Sequence, residues 1–258
     1  MSAFAVARQA ARLRAERHRR PLSRLTRRWV ADHGPVVQDG PFAGLRYPRS
    51  CLRLANDVVP KLVGAYESEL VEAVEALIAA RPRAILNVGA GEGYYAVGLA
   101  RRLPEAAVVA FEIEPLLRRL NRDLARANGT QGRVKVEAEA NPLILNHVLH
   151  VLAGPALVVC DCEGAERELL DPAAAPLLRD ADLLVELHDF AAPGVTEELT
   201  ARFTPTHDLR LVETEPRFPA DWPLVAGWER ADHVDRALAL AEFRPAPMRW
   251  LVGGRRIA

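Results

Sequence analysis

The chain has 258 residues, 50% of them hydrophobic and 26% charged, which describes a globular protein and excludes a disordered one. Basic and acidic residues number 34 each, so the formal net charge is zero, and a general nucleic-acid binder would carry a basic excess. Arginine supplies nearly all of the positive charge, Lys61 and Lys135 being the only lysines. The cysteines Cys51, Cys160 and Cys162 are too few for a disulfide framework and are expected as reduced thiols. Cys160 and Cys162, read as parts of one strand, are expected on its opposite faces. No apolar run approaches the ~20 residues of a membrane helix. Arginines from Arg8 to Arg28 interrupt any secretory signal. The expectation is a cytoplasmic protein without membrane insertion.

Residues 3–31 read as one or two arginine-rich helices broken near Pro21, forming an arm that packs on the body or on a second copy in a homodimer. Residues 34–60 are rich in Pro and Gly and predict a loop-dominated connection. A helix is predicted over 62–80 from Val63, Tyr66, Leu70, Val74 and Leu77, with Pro82 ending it. Strands and helices then alternate. Strands are predicted over 84–88, 107–111, 134–138, 156–160 and 183–187. Helices are predicted over 94–102, 115–127, 142–151, 166–170 and 174–179. This order predicts an α/β fold: a doubly wound, mostly parallel sheet whose ligand edge lies at the strand C-termini. Two late strands, 209–213 and 249–252, flank an insertion over 214–247 that contains Phe218, Trp222, Trp228 and His233. An insertion of that length with large side chains predicts a lid over a substrate pocket, or a packed cap. The domain division expected is an arm and connection over 1–60 and one catalytic domain over 61–258.

The run Ile85-Leu86-Asn87-Val88-Gly89-Ala90-Gly91-Glu92-Gly93 follows a strand and opens a helix. Its glycines allow a sharp turn and close approach of a ligand. A dinucleotide loop would need a glycine at 94, where Tyr94 stands, and no phosphate-loop pattern for ATP is present. The G-x-G-x-G spacing resembles the S-adenosylmethionine (SAM) loop of Rossmann-like methyltransferases. Glu112 ends the second strand about 20 residues later, where a carboxylate accepts ribose hydroxyls. Glu114 is the alternative, or serves the next helix through its dipole.

Two further runs, Asp161-Cys162-Glu163-Gly164-Ala165-Glu166 and Glu186-Leu187-His188, together with Val109-Ala110-Phe111-Glu112, resemble the FkbM-type methyltransferases over residues 62–190. The resemblance implies a Rossmann-like fold and a SAM-dependent transferase acting on a small-molecule hydroxyl. Gly89, Ala90, Gly91, Glu92, Gly93, Glu112, Glu139 and Asp161 are then the expected cofactor residues, with adenine near 137–141. Asn87 stands where many methyltransferases carry an acid, and Glu67, Glu92 or Asp161 is a substitute for it. His188 is expected as general base, its ordinary pKa lying near neutrality, with Asp161 beside it. The alternative is a magnesium ion held among Asp161, Glu163, Glu186 and Asp189. A second functional class is RNA binding through the arginine-rich arm, but the arm offers few aromatics for stacking.

Overall fold

The computed structural model describes residues 23–53, 58–244 and 246–256. The expected helices before Pro21 lie outside these residues. The first described helix is α1 (Arg24–His33), capped by the Ser23 hydroxyl, which accepts from the Thr26 amide. The stretch after it lacks long elements but is not loose. It makes an antiparallel bridge between Val36 and Arg46, and Val37, Phe42, Leu45, Tyr47 and Cys51 are buried in the same core as the sheet.

The helix expected over 62–80 is two helices, α2 (Val58–Val63) and α3 (Val71–Ala79). The apolar periodicity is real, but Gly64 adopts φ +92 with its α-carbon against Asp39. A Cβ there would meet the Asp39 carbonyl oxygen at 2.3 Å. Glu67 also takes a left-handed conformation, φ 50. Two such residues three positions apart cannot continue an α-helix.

The alternation then runs as expected through the fifth strand: β1 (Ala84–Val88), α4 (Tyr94–Arg102), β2 (Ala107–Phe111), α5 (Pro115–Ala127), β3 (Val134–Glu137), α6 (Pro142–Leu152), β4 (Ala156–Cys160), α7 (Glu166–Leu169) and β5 (Ala181–Leu187), except that the helix expected over 174–179 is a short 3₁₀ turn, Pro176–Asp180. The two late strands are β6 (His207–Glu213) and β7 (Arg249–Arg255), while α8 (Val195–Phe203) and the short helices α9 (Pro223–Ala226) and α10 (His233–Leu238) were not expected from the sequence. The seven strands form one sheet in the order β3-β2-β1-β4-β5-β7-β6. All neighbours are parallel except β7, which runs antiparallel to β5 and β6. The strand order reverses beside β1, between β2 and β4, so the crevice that receives ligands lies at the C-termini of those strands. The result is the doubly wound, mostly parallel Rossmann-like sheet.

Both faces of the central strands are covered, which is why β1 and β4 read as unbroken apolar runs. Ile85, Val108 and Val159 face a core that also takes in α4, α5 and Trp29 of α1. Leu86, Val109 and Val158 face a second core with α6 and α8. No helix among the described residues is long and apolar enough to cross a membrane.

The insertion after β6 is tied to α1. Trp228 is buried and meets Trp29 edge-on at 5.1 Å, while Trp29 stacks on His33 at 4.1 Å. Asp32 accepts from the Trp228 indole at 2.8 Å and pairs with Arg230 at 2.5 Å. Asp32 is held below the usual carboxylate range by the Trp228 and Arg230 hydrogen bonds.

Candidate functional site

The glycine loop joins β1 to α4 at the reversal of strand order. Gly89 (φ +74) lies so close to the Asp161 carbonyl that a Cβ would approach it to 1.6 Å, whereas a Cβ at Gly91 would meet nothing within 4 Å. Gly89 therefore lets β1 and β4 converge, and Gly91 keeps the loop's outer side open. Glu112, at the end of β2, is locked by two backbone donors. Its Oε2 accepts from the Gly91 amide and its Oε1 from the Glu114 amide, both at 2.8 Å. Glu114 caps α5 through the Leu116 amide at 3.4 Å.

Gly89, Glu112, Ile113, Glu139, Asp161 and Glu163 line one cleft, with Phe111, Ala140 and Leu169 among its apolar walls. The cleft encloses about 550 Å³ including its solvent-open mouth. Ala90, Gly91, Glu92 and Gly93 are not on its wall. Glu92 turns the other way: its carboxylate makes a buried ion pair with Lys61 at 2.6 Å and accepts from the Tyr47 hydroxyl at 3.0 Å. Burial pushes Glu92 up, but the Lys61 charge outweighs it and the carboxyl stays below its ordinary value. Its side chain is thus committed to the protein. Asn87 Oδ1 is buried and finds no hydrogen-bond partner among the described residues.

Across the cleft, the ends of β4 and β5 bring together Asp161, Glu163, Glu166, Glu186 and His188. Glu166 Oε1 accepts from the amides of Cys162 at 3.2 Å and Gly164 at 3.1 Å. The same oxygen lies 2.7 Å from His188 Nδ1. An oxygen serving two amides is an acceptor, so His188 Nδ1 is the donor and Nε2 carries the lone pair of the neutral ring. That Nε2 faces Glu186 at 3.5 Å, Asp161 at 3.6 Å and Glu163 at 3.7 Å. Burial would lower the His188 pKa, but the Glu166 hydrogen bond and the surrounding carboxylates raise it. Burial, then Asp161, push Glu186 well above the carboxylate range, and the two share a hydrogen bond.

The insertion completes this side. Arg244 reaches Glu186, and it pairs with Glu67 at 2.9 Å and with Glu242 at 2.6 Å. Arg217 binds Glu69 and pairs with Glu242 at 2.8 Å. Tyr95 donates to Glu67, whose pKa burial raises to about 7 against the pull of Arg244.

Three expectations are revised by this geometry. Asp189 is turned from the cluster, because both its oxygens hold Thr196 at the start of α8. The atoms that converge are those of Asp161, Glu186 and His188, within 4.8 Å of one another. They fit a magnesium ion poorly: one donor is an imidazole, and Arg244 already occupies Glu186. Cys160 and Cys162 are also not on opposite faces. Positions two apart in an extended chain share a face, and their Sγ atoms lie 3.4 Å apart. Arg244, Glu242 and Arg217 had no sequence signal, since they lie outside every motif. Glu166 did have one, as the last residue of the D-x-E-G-x-E run.

No family model matches this sequence, and no curated protein does. Among solved structures, the chain is similar to cofactor-bound Rv0187 from MTB, at 23% identity over 57% of this chain and 74% of that one, with a TM-score of 0.45. It is similar to an O-methyltransferase from Bacillus cereus in complex with SAH, at 13% identity over 70% and 78%, TM-score 0.46. A SAM-dependent methyltransferase from Thiobacillus denitrificans with S-adenosyl-L-homocysteine gives 14% identity over 72% and 91%, TM-score 0.43. At these scores nothing about this chain's chemistry rests on the likeness.

Proposed function

We propose that the protein is a SAM-dependent methyltransferase of the FkbM type that methylates a hydroxyl of a small molecule. The observation that carries this reading is the Glu112 carboxylate, held by the Gly91 and Glu114 amides at the mouth of the cleft beside the strand-order reversal. A carboxylate fixed there binds paired ribose hydroxyls. Asn87, whose buried Oδ1 finds no partner among the described residues, stands in place of the missing acid beneath the donor's ammonium group. Bound SAM supplies an electrophilic methyl group and nothing else in the reaction.

The chain's own residues do the rest. Glu166 fixes the His188 ring so that Nε2 faces Asp161 and Glu163, which line the cleft, and Glu186. An acceptor hydroxyl there gives its proton to Nε2 as its oxygen takes the methyl group, and the developing imidazolium is stabilised by Asp161, Glu163 and Glu186. Arg244 and Glu242 close the acidic cluster around Glu186 from the insertion side, which shields the reaction from water. The free cysteines fit a reducing cytoplasm.

The test is calorimetric titration of S-adenosylhomocysteine into the full chain. Binding is expected, and Glu112→Ala should weaken it by about tenfold, through loss of a charge-assisted hydrogen-bond pair. Absence of binding to the unmodified protein would overturn the reading.

A further inference from the structure

We propose that a groove against α5, distinct from the cofactor cleft, binds a phosphate-bearing small molecule. Arg49, Ser50, Arg53, Leu116, Arg119 and Leu120 line it, and it measures about 370 Å³. Small-ligand sites run from about 300 to 1,000 Å³. The groove exists because the chain before α2 turns through a short 3₁₀ helix, Cys51–Arg53, laid against α5. Cys51 and Leu52 are buried and anchor that turn, and the Cys51 thiol reaches the Leu120 carbonyl at 3.5 Å. Anchoring those two leaves Arg49 and Arg53 on the outside, facing the exposed Arg119 across the groove.

The charge there is unbalanced. Many arginines elsewhere are paired: Arg102 with Glu75, Arg126 with Asp123, Arg217 with Glu69 and Glu242. Among the described residues no carboxylate or carbonyl holds the guanidiniums of Arg49, Arg53 or Arg119. In a protein of zero net charge, three cations around one groove with no acidic partner among the described residues repel one another and favour an anion. A single carboxylate would neutralise one of them. A phosphate group brings more charge, and its oxygens match the guanidinium fork. Leu116 and Leu120 give the groove an apolar floor for the rest of the ligand. The site is also next to the cleft. Leu116 lies in the first turn of α5, whose cap, Glu114, donates its amide to Glu112.

This inference does not rest on the methyl-transfer reading, and one experiment separates them. Inorganic pyrophosphate and S-adenosylhomocysteine are titrated in parallel into the full chain by calorimetry. Pyrophosphate should bind. Arg119→Ala, and Arg49→Ala with Arg53→Ala, should each weaken it by about tenfold or more. Arg179→Ala, exposed elsewhere, should leave it unchanged, as all of these variants should leave S-adenosylhomocysteine affinity and the melting temperature. No heat from pyrophosphate, or an equal loss in Arg179→Ala, would overturn the proposal. So would displacement of pyrophosphate by a short single-stranded RNA whose binding falls steeply with salt, since that outcome assigns the arginines to nucleic acid.

Discussion

The two walls of the central cleft are built in opposite ways. On the β1–β2 side, contiguous backbone does the work: a glycine turn, two amides and one carboxylate, all within residues 89–114. On the β4–β5 side, buried side chains from distant segments do it, and Arg244 meets Glu186 across 58 positions of sequence. A backbone-built wall tolerates most side-chain changes and fails where the chain itself cannot bend. A wall of buried charges is sensitive to any single deletion, because each lost partner strands another charge.

The largest expected effect is on the charged wall. His188→Ala should lower turnover by about 10²–10⁴-fold and leave S-adenosylhomocysteine affinity in place. Because the His188 pKa is raised, the base form should appear only above histidine's ordinary range, so the rate should climb through that higher value. A pH–rate profile of the unmodified protein, compared with that of the variant, checks both points. The same shift contributes stability that is complete below pH 6.5 and is lost as pH rises through the folded value.

On the backbone wall the sharpest contrast lies within the loop. Gly89→Ala forces a Cβ to within 1.6 Å of the Asp161 carbonyl and should cost about 3 kcal/mol or more. Gly91→Ala meets only its positive φ and should cost about 1 kcal/mol. Urea unfolding of both variants measures the difference. Equal losses would mean that Gly89 does not set the approach of β1 to β4.

Arg244→Met tests how far the charged wall depends on its one intruding cation. It should destabilise the protein by about 3 kcal/mol near pH 8, since Glu67 and Glu186 lose their partner in a buried place. A carboxyl with a raised folded pKa holds more protons folded than unfolded, so its stability falls as pH rises from about 4.5 to that value. The deficit should therefore shrink on acidification, which denaturation at pH 5.5 and pH 8 would show. The smallest effect expected is none at all: with Asp189 turned to Thr196, a chelator should leave the rate unchanged in a label-transfer assay.

Much of the molecule was legible because its causes are local. Apolar runs of the right length gave the strands, Glu114 was readable as serving the start of α5, and the glycine spacing placed the loop. The same locality made Glu112 readable as the carboxylate at the end of β2. The faces of Cys160 and Cys162 were within reach of the two-residue period of a strand, yet were misread.

Tertiary structure decided what local rules could not. Asp39, lying against Gly64, broke a helix whose apolar period continued past it. Lys61 and Tyr47 drew Glu92 away from the cleft, and Thr196 drew Asp189 from the cluster. Glu166, not a neighbour in sequence, set the tautomer of His188. Arg244 came from outside every motif to hold two buried acids. Motif spacing shows which chemistries a segment can reach. It does not show which partner will satisfy a buried charge, because desolvation makes each such charge take the best partner the whole fold supplies.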